Sequence, residues 1–246
     1  MIKLSDYRQL IYDKYATCFQ DQDAEQVFNT SAADKWGKAY DYYLRNWLPE
    51  SKDTNILDIA CGRGLFLHFL KKRGYVNITG IDISPEQVSL AKQVTENVIE
   101  GNVLEFLATT KKKYDLIIGL DIIEHFRKDE VIRLLNSIHE VLKPRGRLIL
   151  QTPNADSPFG AGVFGGDFTH ETYFSTEGMQ HLLKLCSFSG VETRETGPVP
   201  KCFKSLVRYI MWKKIHFVIM LRNLIETGGR GSGVFTRVFL ISGLRK

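Results

Sequence analysis

The sequence has few cysteines, and no two of them lie close together. The four form no C-x-x-C pair and show no metal-finger spacing: Cys18, Cys61, Cys186 and Cys202. This pattern excludes a zinc finger and a dense disulfide framework, which need closely spaced cysteines. We therefore expect reduced thiols and a cytoplasmic protein.

No apolar run in residues 203–225 is long enough to span a bilayer. Fifteen apolar residues are present there, but five Lys or Arg interrupt them and the longest uncharged run is Ile215–Leu221. A membrane-spanning helix needs about 20 consecutive apolar residues. Residues 1–20 likewise carry charged side chains and no long apolar core, so we also expect no signal peptide.

Acidic residues are scarce near the C-terminus. Residues 201–246 contain ten Lys or Arg and only Glu226 as an acid, a net charge of +9. The other 200 residues hold 23 basic and 27 acidic side chains, a net charge of −4, within a total of +5. Such asymmetry points to a partner of negative charge rather than to a fold class.

The basic segment 203–225 has more than one interpretation. A basic amphipathic helix would lie on an anionic membrane, here the inner membrane face. At 100° per residue, however, Lys204, Arg208 and Arg222 share a face that excludes Lys213 and Lys214. A bent pair of helices would reconcile this pattern, as would a flap against the domain or a second subunit in a homodimer. Nucleic acid is the least favoured partner because no stacking motif accompanies the charge.

A third glycine is missing from a turn that otherwise resembles a nucleotide-binding loop. Residues 56–64 form an apolar run that ends in Gly62 and Gly64, and Asp82 ends the next apolar run. The glycines let a ligand approach the backbone, and the carboxylate can hold a ribose diol. A dinucleotide site needs a third glycine where this chain has Leu67. The sequence therefore disfavours a dinucleotide.

An acidic residue, Asp58, lies inside the first strand just before this loop. Its carboxylate would repel a pyrophosphate but would attract an ammonium group. S-adenosylmethionine fits this site, because its adenosine can bind Asp82 and its ammonium group can bind Asp58. It also carries no phosphate for Asp58 to repel. The sequence therefore predicts S-adenosylmethionine as the ligand.

Residues 57–64 resemble the first motif of class I S-adenosylmethionine-dependent methyltransferases. Four further landmarks follow in order within residues 54–152: Asp82, Glu100–Val103, Tyr114–Asp121 and Leu142–Leu150. The resemblance implies cofactor contacts from Asp58, Ala60, Cys61, Gly62, Gly64, Asp82, Ile83, Asn102, Val103 and Asp121. Asn102 departs from the acid that the family usually places against the adenine amino group, although an amide oxygen can accept the same hydrogen bond.

Strands alternate with helices from residue 54 onwards, which predicts an α/β fold with a mostly parallel sheet. We expect strands near 55–60, 77–82, 97–99, 114–120, 146–152, 190–196 and 234–243, and helices near 64–73, 85–94, 128–142 and 176–187. The resemblance implies a Rossmann-like, seven-stranded sheet of order 3-2-1-4-5-7-6. Residues 1–50 would form a helical cover, with Tyr40, Tyr43 and Arg45 as pocket candidates. In the methyltransferase domain, residues 51–246, a basic helical insertion would occupy 198–231.

Two histidines are candidates for the base that a hydroxyl nucleophile needs in methyl transfer. His125 follows the fourth predicted strand, close to Asp121, and His170 lies in the glycine-rich loop 153–175. Asp121 completes the candidate catalytic set. Each histidine also has an alternative structural role. His125 could hold the strand-four turn through a hydrogen bond, and His170 could anchor the loop.

A metal site is an alternative at the same turn. Asp121, Glu124 and His125 are spaced at i, i+3 and i+4, so they would share a face if the turn is helical. Oxygen and imidazole ligands could hold Mg²⁺. The ubiquinone-pathway O-methyltransferases are similar here and use a divalent ion.

The acceptor is indicated only by a further resemblance. Residues 169–175 and the basic segment resemble stand-alone methyltransferases of bacterial polysaccharide gene clusters, which implies transfer to a hydroxyl of a sugar or lipid-linked saccharide. A quinone-pathway-like O-methyltransferase with a divalent metal and a non-catalytic S-adenosylmethionine-binding protein are the alternatives. The Asn/Asp-Pro-Pro-Tyr motif of adenine N-methyltransferases is absent after strand four.

Overall fold

The computed structural model describes residues 7–12, 14 and 27–246. Their centre is a seven-stranded sheet of order β3-β2-β1-β4-β5-β7-β6, which confirms the predicted strand order. The strands are β1 (Ile56–Ile59), β2 (Ile78–Asp82), β3 (Val98–Glu100), β4 (Tyr114–Leu120), β5 (Leu142–Pro153), β6 (Phe188–Glu195) and β7 (Val238–Arg245). Strand β7 runs antiparallel to both β5 and β6, whereas the other pairs are parallel.

Helices cover both faces of the sheet. In chain order they are α1 (Tyr7–Tyr12), α2 (Thr30–Tyr43), α3 (Leu65–Lys72), α4 (Pro85–Ala91), α5 (Val103–Thr109), α6 (Lys128–Val141), α7 (Ala161–Phe164), α8 (Thr176–Leu185) and α9 (Phe203–Thr227). One buried apolar cluster joins the sheet to α5, α6 and α8, and a second joins it to α2, α3 and α4. Because β1 and β4 are apolar on both faces, both clusters contain residues from these strands.

Two strand boundaries and one helix differ from the predictions. Strand β5 begins at Leu142, because Leu142 pairs with Tyr114 across an irregular register. Strand β7 begins at Val238 rather than 234, because the Asn154 side chain donates to the backbone carbonyls of Val234 and Thr236 and holds that stretch outside the ladder. Helix α5 was not predicted.

The basic segment forms one continuous helix. Helix α9 runs for 25 residues between β6 and β7, and none of its residues is buried. A bent pair of helices is therefore wrong. Within the described parts of the chain, no helix combines the length and the apolar character needed to cross a membrane.

Candidate functional site

A crevice opens at the carboxyl edge of the sheet, where parallel α/β folds bind ligands. It has a large chamber of about 390 Å³ and a small chamber of about 180 Å³, and both are lined by Ala60, Gly62, Leu120 and Asp121. The large chamber reaches the ends of β2 and β3, the two histidines and α1, while the small one reaches α2 and the start of α3. Nine of the ten predicted cofactor residues line one chamber or the other, Gly64 being the exception.

The loop after β1 has a backbone that turns through the left-handed region. Ala60, Gly62 and Gly64 have φ values of 58°, 51° and 90°. Gly64 precedes α3, and a Cβ there would lie 3.1 Å from the Ala91 backbone. Gly64 is therefore needed for the turn and for close packing against α4, and it does not contact the chambers. Gly62 lines both of them.

Asp82 ties this loop to the end of β2. Its two carboxylate oxygens accept hydrogen bonds from the backbone N–H groups of Gly62 (2.8 Å) and Ser84 (2.9 Å). Burial raises the pKa of Asp82, and these N–H groups oppose that rise. The carboxylate also lines the large chamber. Because each oxygen can accept more than one hydrogen bond, Asp82 can hold the loop and a ligand diol together.

Asp58 is a buried acid, and one of its carboxylate oxygens lacks a hydrogen-bond partner in the described part of the chain. It is 1% exposed, and within the described residues its Oδ2 atom has no hydrogen-bond partner. Burial, with the nearby Asp82 carboxylate as a second cause, raises the pKa of Asp58 well above its usual range. Asp58 lines the small chamber, so a ligand cation there could pair with its free carboxylate oxygen. Such a pair would offset the free energy lost by burying an acid without a partner.

The loop after β3 contributes Asn102 and Val103 to the large chamber. The Asn102 side chain caps α5, because its Oδ1 atom accepts a hydrogen bond from the Leu104 N–H at 2.8 Å. A carbonyl oxygen has two lone pairs, so one remains for a ligand amino group. Ile83 also lines this chamber, and Cys61 lines the small one.

Asp121 stands where the two chambers meet. Its backbone has a φ of 56°, and its side chain is exposed to the crevice. Its Oδ2 atom accepts a hydrogen bond from Gln151 Nε2 (2.9 Å), and Gln151 Oε1 accepts one from the Tyr40 hydroxyl (2.8 Å). Helix α2 and strand β5 therefore hold the Asp121 carboxylate in place.

His125 has one ring nitrogen fixed by a short chain of hydrogen bonds. Its Nδ1 atom lies 2.7 Å from Thr169 Oγ1, which donates to Asp167 Oδ1 at 2.6 Å. A carboxylate only accepts, so the hydroxyl proton of Thr169 points to Asp167 and His125 Nδ1–H donates to Thr169. Neutral His125 therefore carries its lone pair on Nε2. Burial, aided by His170, lowers the pKa of His125 to about 4, which keeps the ring neutral near pH 7.

His170 lies beside His125, with 4.8 Å between ring centroids. Its Nδ1 atom is 2.7 Å from the Phe164 carbonyl oxygen, and its Nε2 atom is 3.9 Å from Glu124 Oε1. Both of its ring nitrogens therefore face protein groups. Glu124 is 1% exposed, and burial raises its pKa well above the usual range.

One candidate metal-ligating group lies in the described part of the chain. The ligand atoms of Glu124, His125 and His170 all lie within 4.8 Å of one another. Asp121, which the sequence pattern placed with Glu124 and His125, is not in this group. Its carboxylate is bonded to Gln151 instead.

The loop 154–175 is fastened at its far end to the turn after β4. The backbone carbonyl of Glu124 accepts hydrogen bonds from the N–H groups of Glu171 (2.7 Å) and Thr172 (3.0 Å). Thr172 Oγ1 also donates to the Phe126 carbonyl at 2.8 Å. These bonds explain why two histidines that are 45 residues apart in sequence meet at one cavity.

Several residues that the sequence did not identify also take part. They are Arg8 and Tyr12 of α1, Gln151, Asp167 and Thr169. Gln151 could have been found by the strand-end rule, since it lies near the carboxyl end of β5. Of the three cover candidates, Tyr40 lines the small chamber, Tyr43 lines a different cleft, and Arg45 lies over the Tyr42 ring.

Comparison with known sequences identifies the fold family. The family model described as a methyltransferase domain matches residues 27–192. The ubiquinone biosynthesis O-methyltransferase of Rickettsia bellii is 34% identical over 115 residues, which are 45% of this chain and 47% of that protein. The O-antigen chain terminator bifunctional methyltransferase/kinase WbdD of Escherichia coli is 28% identical over 165 residues, or 61% of this chain and 21% of that protein. The chain thus spans about half or less of the length of these relatives.

Solved structures share the same architecture. A SAM-dependent methyltransferase from Archaeoglobus fulgidus superposes with a TM-score of 0.63 at 19% identity, covering 97% of this chain and 100% of that one. Magnesium protoporphyrin IX methyltransferase from Synechocystis, solved with bound SAM, gives a TM-score of 0.58 at 15% identity and covers 100% of both chains. At these identities the likeness concerns the fold.

Proposed function

We propose a hydroxyl group as the acceptor of this protein, which belongs to the methyltransferase-domain family and is an S-adenosylmethionine-dependent methyltransferase. The observation that carries the proposal is the pair of histidines in the cofactor crevice. His125 is held neutral near pH 7 and its Nδ1 atom is fixed by Thr169, so we assign Nε2 as the atom that takes up the proton. A hydroxyl needs such a base, whereas an amine free of its proton does not.

We infer that the crevice binds the cofactor, which supplies an activated methyl group on a sulfonium. We infer that Asp82 holds the ribose diol and Asp58 the ammonium group. Asn102 and Val103 would face the adenine, and Gly62 would give the ligand access to the loop backbone. Asp121 borders both chambers, so we assign to it the position beside the reacting methyl group.

In the proposed reaction the chain aligns one acceptor oxygen and removes its proton. The oxygen displaces sulfur at the methyl carbon, the electron pair of the broken C–S bond stays on sulfur, and the hydroxyl proton passes to His125 Nε2. Asp167, through Thr169, fixes the ring orientation. His170 has both nitrogens turned to protein groups, so we assign it a supporting role beside His125.

Asp58→Asn is expected to weaken S-adenosylmethionine binding by roughly 10- to 100-fold, because a charge-assisted hydrogen bond contributes about 1.5–3 kcal/mol. Since the pKa of Asp58 is raised well above the usual carboxyl range, wild-type affinity should increase with rising pH as the carboxyl ionises, and the variant should respond less. Isothermal titration calorimetry at several pH values measures both effects.

Asp115→Asn provides the matched control for this change. Asp115 binds the Asn55 N–H and Lys143 at the opposite edge of the sheet, so its substitution should leave cofactor affinity unchanged. Equal affinity of wild type and Asp58→Asn at every pH would contradict the assignment of the ammonium group to Asp58.

For the acceptor we propose a sugar hydroxyl, on a free or lipid-linked saccharide. The O-antigen relative supports the saccharide, whereas the histidine pair and the ubiquinone biosynthesis O-methyltransferase relative support only a hydroxyl acceptor. The competing candidate is a quinone-pathway-like O-methyltransferase with a divalent ion, favoured by the Glu124, His125 and His170 cluster. Assays with both acceptor classes, with and without chelator, separate the two. Transfer to saccharides that survives chelator supports our proposal, and transfer only to phenols that chelator abolishes supports the alternative.

Helix α9 supports a peripheral membrane contact. Its outer face carries exposed apolar side chains at helical spacing: Phe203, Val207, Ile210, Phe217, Val218, Leu221 and Ile225. Lys214 lies within this stripe, and Lys204 and Arg222 are exposed nearby. Apolar side chains with cations around them match an anionic lipid surface. We therefore propose that the outer face of α9 lies on the membrane that carries the acceptor.

Phe217→Glu should abolish most sedimentation of the protein with anionic phospholipid vesicles, since it places a charge in the middle of the apolar face. Val76→Glu, at an equally exposed apolar position away from α9, should sediment like wild type. Sedimentation that is unaffected by Phe217→Glu would contradict the membrane contact. Loss of a dimer in size-exclusion chromatography of this variant would favour a subunit interface instead.

A further inference from the structure

A second cavity, which we call the basic cleft, lies between α2, residues 196–201 and α9. Its volume is about 760 Å³, and no acidic side chain is among its lining residues. Five lining residues are cationic: Lys35, Lys38, Lys201, Arg208 and Arg237. A cleft lined by charges of one sign concentrates ligands of the opposite sign.

The cations of the basic cleft have no acidic partner among the residues that the structure describes. Within the described residues none of the five makes an ion pair. Partial burial, together with the positive charges of Lys38 and Arg73, lowers the pKa of Lys201. The repulsion between these like charges costs free energy that an anion would offset.

Hydrogen bonds fix the walls of the basic cleft. The Tyr43 hydroxyl donates to the backbone carbonyls of Thr196 (3.0 Å) and Gly197 (2.6 Å). Trp212 donates from Nε1 to Glu195 at 3.3 Å, which joins α9 to the end of β6. Glu195 lies behind this wall, where it also accepts from the Phe235 N–H. These hydrogen bonds hold the walls of the cleft in place. Tyr43 and Trp212 provide flat apolar surfaces beside the cations.

The basic cleft and the cofactor crevice open on the same edge of the sheet. Arg237 directly precedes Val238, which pairs with Pro153 at the carboxyl end of β5. One turn of α2 separates Tyr40, which lines the small chamber, from Tyr43, which lines the basic cleft. Helix α2 is thus a shared wall between the cofactor and any ligand in the basic cleft.

We infer that the basic cleft binds the phosphate or diphosphate group of the acceptor. This inference takes the hydroxyl acceptor from the proposed function. The assignment of an anion site rests separately on the cations and the shape of the basic cleft. A cavity of this volume holds more than a phosphate, so Tyr43 and Trp212 would contact the adjoining part of the molecule. Both a nucleoside diphosphate sugar and an isoprenyl diphosphate saccharide present this group.

Calorimetric titration of the full chain with inorganic pyrophosphate tests the anion site. Arg208→Gln and Lys38→Gln should each weaken binding about tenfold or more, as expected for loss of a hydrogen bond to a charged group. Lys214→Gln removes the same charge from the outer face of α9 and should have little effect. Absence of pyrophosphate binding, or equal weakening in all three variants, would overturn the inference.

Two further titrations identify the source of the phosphate. Tighter binding of uridine diphosphate glucose than of pyrophosphate indicates a nucleotide sugar, and tighter binding of farnesyl diphosphate indicates a lipid carrier. If pyrophosphate binds at the basic cleft but no hydroxyl acceptor is methylated, the proposed function fails and the anion site stands. If saccharides are methylated and pyrophosphate does not bind, only the anion site fails.

Discussion

His125→Gln is expected to lower kcat by roughly 10²- to 10⁴-fold, the usual contribution of a general base. The reason is that His125 Nε2 would no longer receive the acceptor proton. S-adenosylmethionine affinity should change little, because the proposed contacts to the cofactor come from other residues. Steady-state kinetics together with calorimetry separates loss of turnover from loss of binding.

Three comparisons sharpen this prediction. His181→Gln alters an exposed histidine on α8 and should leave kcat unchanged. Thr169→Val keeps the side-chain shape but removes the hydroxyl that fixes Nδ1, so it should give a smaller loss of kcat. If His170→Gln abolishes turnover while His125→Gln retains it, the assignment of the base to His125 is wrong.

The pH profile provides an independent check on the same residue. With its pKa lowered to about 4, His125 is already deprotonated at neutral pH. Wild-type kcat should therefore be nearly constant between about pH 6 and pH 8. The sign follows from the direction of the shift, because protonation removes the base only as pH falls toward 4. A fall in kcat between pH 8 and pH 6 would be inconsistent with His125 as the base.

Asp82→Ala is expected to reduce S-adenosylmethionine affinity by at least about 100-fold. The substitution removes a ligand contact and also the carboxylate that accepts from the Gly62 and Ser84 N–H groups. Hydrogen bonds to a charged group contribute about 1.5–3 kcal/mol each, so losing several accounts for this magnitude. Calorimetric titration with S-adenosylmethionine and S-adenosylhomocysteine measures the effect.

Asp156→Ala is the matched control for Asp82→Ala. Asp156 also accepts two hydrogen bonds, both from Thr176 at the start of α8, and it does not line either chamber. Both variants should lose some stability, but only Asp82→Ala should lose cofactor binding. Equal cofactor affinity in Asp82→Ala and wild type would remove Asp82 from the site.

Much of the fold was predictable because its signals are local or ordered along the chain. The buried strands are continuous apolar runs, and the glycine turn after β1 fixes the start of α3. Helix α5 was missed because it is only seven residues long and Asn102 was interpreted solely as a ligand contact. The start of β7 was misplaced because it depends on Asn154, a residue about 80 positions away.

The site was predictable where its residues lie within or just after the carboxyl ends of strands. Asp58, Asp82 and Asp121 belong to this class, and the crevice brings all three together. The partners of His125 were not predictable, because Thr169 reaches it only through the path of a long loop. That path depends on the Glu124 backbone carbonyl, which accepts hydrogen bonds from the Glu171 and Thr172 N–H groups. Every residue has a backbone carbonyl, so the sequence does not show which one anchors the loop.

The most direct test of the account is the chemical position of the transferred methyl group. The protein would be incubated with ¹³C-methyl S-adenosylmethionine and diphosphate-linked saccharides, and the product examined by NMR. We predict a labelled methyl group on a sugar oxygen, formed by wild type and lost in His125→Gln. Label found only on nitrogen, carbon or a carboxylate would contradict the central claim that this methyltransferase acts on a hydroxyl.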